Sequence, residues 1–435
     1  MNKAGEKPKG WPSLCIWICL FGWPSLSGCD QEELAVSPPA KTVARAASGQ
    51  SFQADKEIRV ALYQGAEVTV SCPDAGLTLR DLSNPKVTLR CQRDQTIRAR
   101  RQDHRWIIEK RAGGRTLTGA TIVGVEIEVA TAPDVFLLAD FGETAKPYRG
   151  RFTLYSDEND RLTLINTLGL EDYLAGVVGS EMPSYWQPEA LRAQSIICRT
   201  YALYEMHSHE LSRRWDIYSS QKSQVYRGVS GEHRRIWGVL NDTRGMVLVY
   251  GRKGQEKIFP TYYCSVCGGH TQNAEAGFGQ RVDALQGRPC TYCRVGKAKY
   301  CDWDPVRFSK RDVSEWLISK YRSLERLDKI IDVRIKEQSS YGRVERLQLI
   351  GINGKTADIH AEDFRLALSR DDKLLRSSWY RLKDEMTHWR FEDGHGWGHG
   401  VGLCQYGSRG MAILGKDCVE ILNFYYPGAI LVRAY

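Results

Sequence analysis

The sequence predicts an α+β fold, a mixed β-rich body with several inserted helices, because short alternating segments and longer helical ones occupy different stretches of the chain. Residues 58–129 contain runs of β-branched and aromatic residues separated by turn residues, which is typical of short strands. These runs are 58–63, 68–70, 86–90, 105–109 and 123–129. From Pro188 onward the apolar residues follow helical spacing instead, which indicates a long buried helix.

Composition limits the class of protein. The chain has 435 residues, of which 42% are hydrophobic and 26% are charged, as in an ordinary globular protein. This length allows either two lobes or one elaborated domain. The net charge of +9 favours an anionic partner, and the 12 Trp and 21 Tyr residues suit sugar faces as well as protein cores.

The first 29 residues have the features of a processing signal. Three lysines within the first nine residues precede an apolar stretch, 11–26, that is too short and too interrupted by proline to span a bilayer comfortably. The Leu-Ser-Gly-Cys sequence that ends at Cys29 looks like a bacterial lipoprotein cleavage site and predicts a lipid anchor on Cys29; a plain cleaved secretory signal is the alternative. Residues 30–56 lack periodicity and are predicted to be a flexible tether.

Both interpretations of this segment predict an exported protein of the cell envelope, membrane-anchored on the periplasmic or outer face if Cys29 is lipidated. Export makes nucleic acid an improbable partner, so the positive charge points to envelope polymers. The ten cysteines beyond Cys29 would also lie in a compartment where disulfides can form.

The remaining elements follow in order. A β-rich part, 57–150, leads into a predicted hairpin formed by 148–155 and 161–166. Helices are predicted from Pro188 to about residue 205, and at 313–321, 403–414 and 419–425, and strands at 330–335 and 343–350. Pro188 is a suitable first helical residue because its missing N–H would have no partner there.

One acidic residue, Glu181, stands before Met-Pro in a stretch almost free of charge. A carboxyl group beside Tyr185 and Trp186 at the lip of a turn is in a setting that raises the pKa of a glutamate and makes it a proton donor near neutrality. The alternative is that Glu181 only ends a helix or lies on the surface.

Two Cys-x-x-Cys pairs form the strongest local motif, Cys264 with Cys267 and Cys290 with Cys293. Two such turns can place four thiolates around one tetrahedral Zn²⁺, and a closed shell of this kind braces a loop without taking part in chemistry. His270 and Cys301 are spare candidates. The alternative is two disulfides, and the pattern favours a zinc-braced loop.

A glycine-rich segment, 394–402, contains His395 and His399 at the spacing of helical zinc ligands. Five glycines make a helix there implausible, and no glutamate separates the histidines. A loop that holds imidazole and indole beside a ligand and a structural turn on the core are both compatible with this composition.

Several blocks of this sequence resemble the SpoIID/LytB family, the stage II sporulation protein D and amidase-enhancer proteins. The resemblance covers roughly residues 57–435, with the motifs in the family's order. The blocks are 171–183 (EDYLAGVVGSEMP), 189–203 (EALRAQSIICRTYAL), 243–245 (TRG), 267–273 (CGGHTQN), 396–407 (GWGHGVGLCQYG) and 424–428 (FYYPG).

The resemblance implies that residues 151–435 form a catalytic part with the activity of a lytic transglycosylase, which cuts peptidoglycan glycan strands and in some members prefers strands stripped of peptide. It puts the catalytic acid on Glu181 and a functional arginine on Arg199. It further implies that Gln224, Tyr226, His399 and Gln405 line the substrate site. Some relatives bind zinc near the position of Cys264, which supports structural zinc. This sequence differs in its complete double Cys-x-x-Cys and its long basic N-terminal β region.

A single carboxyl group suffices for this chemistry. Ordinary glycosidases need an acid together with a base or nucleophile. A lytic transglycosylase uses the substrate's own C6 hydroxyl and leaves a 1,6-anhydro-muramyl end, so one glutamate can donate and accept the proton. Two alternatives stay open: a non-catalytic peptidoglycan-binding enhancer of a cell-wall amidase, and a structural zinc-ribbon protein bound to another polyanion.

Overall fold

The structure, a computed structural model, describes residues 44–45, 56–142, 144–208, 213–370 and 373–435. The chain divides into two compact units, one of them formed by Tyr263–Gly407 and the other by Ala40–Tyr262 with Ser408–Tyr435. The predicted processing signal, the lipid acceptor Cys29 and nearly all of the predicted tether lie outside the described residues. Within the described part of the chain, no helix is long and apolar enough to cross a membrane.

The unit that combines Ala40–Tyr262 with Ser408–Tyr435, called the discontinuous unit below, contains two large sheets. Its first strands are β1 (Ala44–Arg45), β2 (Glu57–Gly65), β3 (Glu67–Ser71), β4 (Leu77–Asp81), β5 (Thr88–Cys91), β6 (Gln95–Gln102), β7 (Arg105–Ala112), β8 (Arg115–Ile122), β9 (Glu126–Ala130), β10 (Leu137–Asp140), β11 (Lys146–Tyr148), β12 (Arg151–Ser156), β13 (Leu162–Gly169) and β14 (Ile217–Tyr218). One large sheet has seven strands in the order β14-β2-β13-β12-β9-β4-β5, and the other has six strands in the order β11-β10-β3-β6-β7-β8.

The burial pattern explains these strands. In β3 and β9 every second residue is buried, as expected of strands with one face on a core. β13, which lies between β2 and β12, is buried along almost its whole length, so both of its faces are covered. The predicted hairpin is confirmed, since β12 and β13 pair antiparallel with Arg151 opposite Thr167.

Three helices and a short 3₁₀ helix follow β13. They are α1 (Leu170–Glu181), α2 (Pro188–Ser208), the 3₁₀ helix Gly228–Gly231 and α3 (Arg234–Asp242). The predicted start of the long helix at Pro188 is confirmed. Helix α1 packs closely on the 3₁₀ helix because glycines lie at the contact: a Cβ on Gly179 would lie 2.0 Å from the carbonyl oxygen of Gly231.

This contact gives a prediction for stability. We expect Gly179→Ala to destabilise the protein by roughly 1–3 kcal/mol, because the added methyl group must push backbone away from backbone. Gly238, inside α3, is the matched control, since a Cβ there would meet nothing within 4 Å and Gly238→Ala should be neutral or stabilising. Urea unfolding of both variants tests this; equal effects of the two substitutions would contradict the packing argument.

Strands β15 (Met246–Tyr250) and β16 (Lys257–Ile258) end the first segment of this unit, and the Tyr263–Gly407 unit follows. Its strands are β17 (Tyr263–Cys264), β18 (Asp302–Trp303), β19 (Val306–Ser309), β20 (Ile330–Gln338), β21 (Val344–Gly351), β22 (Thr356–His360), β23 (Arg381–Glu385), β24 (His388–Glu392), β25 (Gly394–His395) and β26 (Leu403–Cys404). Its helices are α4 (Ala274–Phe278), α5 (Tyr292–Val295), α6 (Lys310–Lys320), the 3₁₀ helix Arg322–Leu327 and α7 (Ala361–Leu368).

The core of the Tyr263–Gly407 unit lies between two three-stranded sheets and two helices. The sheets have the orders β19-β24-β23 and β20-β21-β22, and α6 packs against α7. Trp389, Phe391 and Phe364 are among the fully buried side chains of this core. The glycine-rich segment contributes only the two-residue strand β25, so the expectation that it is not helical is confirmed.

The last elements of the chain are α8 (Gln405–Ile413), α9 (Cys418–Tyr425) and β27 (Ile430–Arg433), and all residues from Ser408 onward belong to the discontinuous unit. β27 joins a four-stranded sheet in the order β1-β27-β15-β16. Helix α9 begins with a capping box, in which Asp417 and Glu420 satisfy each other's backbone N–H groups. The predicted mixed α+β, β-rich body with inserted helices is confirmed, whereas the zinc-braced loop is not shown.

Candidate active site and cysteine cluster

Glu181 is the last residue of α1, and its side chain is partly buried. Its Oε1 accepts a hydrogen bond from the backbone N–H of Val225 at 2.8 Å. The interpretation of Glu181 as a helix-terminal residue is therefore correct for its local structure, and the contact with Val225 is additional.

The neighbours of Val225 are both held in the interior. Gln224 is fully buried, with its Oε1 accepting from the Tyr173 hydroxyl at 3.2 Å. Tyr226 is 5% exposed, and its hydroxyl donates to Oδ1 of Asn166 at 3.1 Å. Because these side chains anchor the backbone on both sides of Val225, they fix the N–H that contacts Glu181. The structure therefore places Gln224 and Tyr226, predicted as substrate-binding residues, on either side of the N–H that contacts Glu181.

The tyrosines of this network remain protonated. Burial raises the pKa of Tyr173 and of Tyr226 well above the usual value for a phenol. Both hydroxyls therefore keep a proton to donate, and their rings lie 5.1 Å apart between centroids. Two neutral phenols therefore contact the side chains of the 224–226 segment and its neighbours.

Arg199 is fully buried and paired with Glu171 rather than left open for a substrate. Its Nε and Nη2 each donate to one oxygen of Glu171 at 2.8 Å, and Nη1 donates to the carbonyl oxygen of Met246 at 3.2 Å. Glu171 also accepts from the hydroxyl of Tyr435. Burial acts to raise the pKa of Glu171, but the hydrogen bonds and charge of Arg199 outweigh it and hold this pKa below its usual range. The predicted functional arginine thus joins α1, α2 and β15.

His399 and Gln405, the other predicted site residues, belong to the Tyr263–Gly407 unit, and Gln405 is a buried residue at the start of α8. The Nδ1 of His399 accepts from the N–H of Val401 at 3.0 Å, and its ring lies 4.9 Å from that of Phe278. Burial lowers the pKa of His399 to about 4, although the nearby charge of Glu362 opposes this shift. His399 is therefore a neutral imidazole at neutral pH, with its proton on Nε2.

Six buried cysteines occur in the Tyr263–Gly407 unit, and they include all four of the predicted zinc ligands. Cys404 makes side-chain contacts with Cys264, Cys267, Cys290 and Cys293, and the sulfur atoms of Cys301 and Cys293 are 3.3 Å apart. None of the ten described cysteines is in a disulfide. No group of three or more His, Cys, Asp or Glu side chains in the described residues is arranged to hold an ion, so the predicted four-thiolate shell is not shown.

Backbone N–H groups and one arginine surround this cysteine cluster. The sulfur of Cys404 accepts from the N–H groups of Cys267 and Gly407, both at 3.2 Å. Hydrogen bonds from neighbouring thiols lower the pKa of Cys293 far below the usual range. Arg343 is fully buried, and its Nη2 donates to the carbonyl oxygen of Cys267 at 2.9 Å, while Nε and Nη1 have no hydrogen-bond partner among the described residues.

Comparison with known proteins decides the family. Residues 158–250 match the family described as stage II sporulation protein, and residues 298–402 match a domain of unknown function, DUF8618. The chain is 33% identical to an uncharacterised protein of Brachyspira hyodysenteriae over 63% of its own length and 69% of that protein. It is 27% identical to stage II sporulation protein D of Bacillus subtilis, over 73% of its length and 88% of that protein.

The chain belongs to the SpoIID/LytB family. A further relative, the amidase enhancer of Bacillus subtilis, is 24% identical over 59% of this chain and 40% of the enhancer. The stage II sporulation match contains Glu181, Arg199, Gln224 and Tyr226, whereas the domain of unknown function contains His399.

The sequence pattern does not predict several residues of the Glu181 region or of the cysteine cluster. Tyr173 and Glu171 lie inside the 171–183 block, but the partners of their side chains, Gln224 and Arg199, are distant in the sequence. Cys404 lies inside the 396–407 block and has no second cysteine at Cys-x-x-Cys spacing, so its membership of the cluster depends on β26 pairing with β17. Arg343 carries no sequence signal; only its burial beside Cys267 distinguishes it.

Proposed function

We propose that this protein is a peptidoglycan lytic transglycosylase in which Glu181 is the only acid and base, acting by preference on glycan strands stripped of peptide. The supporting observation is the carboxyl group of Glu181, held by the Val225 N–H at 2.8 Å within a segment that Gln224 and Tyr226 anchor. A catalytic carboxyl group must be held in a fixed position to transfer a proton efficiently. Membership of the SpoIID/LytB family supports a role in the cell wall.

The proton balance of the reaction needs one carboxyl group. Glu181 donates its proton to the bridging oxygen as the bond from that oxygen to C1 of the muramyl residue breaks. The C6 hydroxyl of the same residue forms the new bond to C1 and returns its proton to Glu181. Since Oε1 accepts from Val225, the transferred proton is carried on Oε2. The carboxyl group ends the cycle as it began, and no water is consumed.

The wild-type reaction tests this proposal. Peptide-free glycan strands incubated with the full chain should yield fragments with 1,6-anhydro-muramyl ends, each lighter by one water than a hydrolysed end. Mass spectrometry of the released fragments distinguishes the two. Glycan strands that keep their full length would contradict the transglycosylase proposal.

A second function is supported by the relative named amidase enhancer. In that case the chain binds peptidoglycan and stimulates a cell-wall amidase without cutting glycan. Peptide-free strands that stay uncut, together with faster release of stem peptides from intact peptidoglycan by an added amidase, would favour this enhancer function over the transglycosylase.

We further propose that the cysteine cluster gathers around a structural zinc ion when the metal is bound. The thiols of Cys264, Cys267, Cys290 and Cys293 all contact Cys404, so the four proposed ligands lie close together. Four thiolates and one Zn²⁺ carry two negative charges, and the buried Arg343 guanidinium beside Cys267 can offset part of this charge. When bound, zinc would supply a brace between chain segments and no step of the reaction.

Substitution of the cysteines tests the zinc proposal. We expect Cys267→Ser and Cys293→Ser to lower the zinc content of the purified protein and its melting temperature, since bound metal contributes directly to folding. Cys418, buried in α9 outside the cluster, provides the matched control Cys418→Ser. Elemental analysis and thermal melts measure both effects. Zinc-free wild-type protein with the same melting temperature as the zinc-bound form would contradict the brace.

Export and anchoring complete the proposal. The protein is held in the cell envelope through a lipid on Cys29, which places the Glu181 site near its polymer. Labelling of cells with a radioactive fatty acid tests this, because Cys29→Ser should abolish the label on the protein. Unchanged labelling would contradict lipidation at Cys29.

A further inference from the structure

A row of half-buried aromatic rings crosses the surface of the Tyr263–Gly407 unit. His270 stacks on Tyr341 with 3.8 Å between ring centroids, Tyr341 lies 5.2 Å from Trp379, and Trp379 lies 4.9 Å from His395. All four side chains are partly exposed. Aromatic rings that contribute only to stability are usually covered by the core, whereas a partly exposed row offers apolar faces to a ligand.

The row leads into a cleft of about 460 Å³. His395 makes the connection, because its Nδ1 lies 2.6 Å from Oδ1 of Asp302 and β25 pairs with β18. The lining of the cleft includes Lys299, Tyr300, Trp303, Asp304, Lys373 and Arg376. Since His395 of the row contacts Asp302 of the cleft lining, the row and the cleft adjoin, and the cleft residues lie in the domain of unknown function.

The charges of the cleft favour an anionic ligand. Lys299, Lys373 and Arg376 supply three cations. Of the two carboxylates in the lining, Asp302 is already neutralised by Arg294, whose guanidinium nitrogens lie 2.8 and 3.1 Å from its oxygens. Asp304 is exposed and is suited to accept hydrogen bonds from hydroxyl groups.

Arg376 places a donor group among the rings. Its guanidinium carbon lies 4.8 Å from the Tyr300 ring and 5.7 Å from the Trp397 ring, and the two rings meet edge to face at 4.6 Å. The Nε of Arg376 and the indole N–H of Trp303 have no hydrogen-bond partner among the described residues. Arginine fixed on aromatic rings presents a planar fork that suits a carboxylate.

We propose that the aromatic row and the cleft together bind a glycan strand whose sugars carry carboxylate groups. The faces of the sugars contact the aromatic row, and one carboxylate of the strand binds Arg376 and Lys373. In peptidoglycan stripped of peptide, the lactyl carboxylate of each muramyl residue is such a group. The identity of this polymer rests on the proposed function. The aromatic row and the cleft add a binding site to the Tyr263–Gly407 unit that is separate from the chemistry of Glu181.

Calorimetric titration of the full chain carrying Glu181→Gln tests the proposal without turnover. We expect peptide-free glycan strands to bind at least about tenfold more tightly than neutral N-acetylglucosamine oligomers. Arg376→Gln and Lys373→Gln should each remove most of this preference. Tyr300→Leu, which keeps apolar volume but removes the ring, should weaken the binding of both ligands by about tenfold, which corresponds to about 1.4 kcal/mol.

Lys355→Gln is the matched control, since Lys355 is exposed and outside the cleft and its loss changes the net charge equally. It should leave both affinities unchanged, and thermal melts identify any cleft variant that fails to fold. Cleft variants that fold and bind strands as tightly as Glu181→Gln alone would overturn the proposal. Equal affinity for inorganic polyphosphate, unaffected by Tyr300→Leu, would show general charge attraction and also overturn it. Release of anhydro-muramyl fragments by the wild type is measured in a separate experiment. If that experiment shows no catalysis by Glu181, the binding affinities of the cleft variants still test this proposal.

Discussion

Glu181→Gln should reduce the release of anhydro-muramyl fragments by roughly 100- to 10,000-fold, the range that a positioned general acid and base contributes. Glutamine keeps the size of the side chain and can still accept the Val225 hydrogen bond, so the fold should be unchanged. It cannot donate a proton to the bridging oxygen and recover it from the C6 hydroxyl. The initial rate on peptide-free strands is the measurement.

Glu158→Gln is the control for this loss. Glu158 is an exposed glutamate in the turn between β12 and β13, and its substitution removes the same charge. It should retain the wild-type rate. A Glu181→Gln variant that releases the same products at a similar rate would exclude Glu181 as the catalytic group, whatever the melting temperature of the variant.

Arg199→Met should destabilise the protein by about 3–5 kcal/mol, because it removes the cation that pairs with the buried carboxylate of Glu171. The double variant Glu171→Met with Arg199→Met removes both charges and should recover much of this loss, since an apolar pair can replace a buried ion pair at little cost. The free energy of unfolding in urea measures each variant.

An exposed arginine provides the comparison. Arg311 pairs with Glu315 across one turn of α6 with its side chain 81% exposed, so Arg311→Met should cost less than about 1 kcal/mol. If Arg199→Met instead kept the stability of the wild type and lost only activity, the arginine would have its main role at the substrate. The paired geometry with Glu171 favours the structural role.

Local signals in the sequence were sufficient for the elements that depend on local chemistry. Pro188 marks the start of α2 because proline tolerates the first helical position, and alternation identified the β12–β13 hairpin. The sequence pattern does not predict helix α1. Its residues are apolar on most sides, and its glycines serve the contact with the 3₁₀ helix at Gly231, which no periodicity reveals.

The sequence predicts the chemistry of the site only in part, because the contacts of its residues join distant positions of the chain. Glu181 was identified by its isolation in an apolar stretch, but its contact with Val225 spans 44 residues. The partner of Arg199 lies 28 residues away, and Cys404 joins the cysteine cluster through a contact of its sulfur with the N–H of Cys267, 137 residues away. Such pairs depend on tertiary packing, and residue type alone does not predict them.

The source of the oxygen at the new chain end tests the central claim most directly. Peptide-free strands digested in water enriched in heavy oxygen, followed by mass spectrometry of the fragments, report whether water or the C6 hydroxyl attacks C1. If Glu181 works as the only carboxyl group, the fragments should carry anhydro ends without heavy oxygen. Heavy oxygen at the newly formed reducing ends would show hydrolysis and contradict this mechanism.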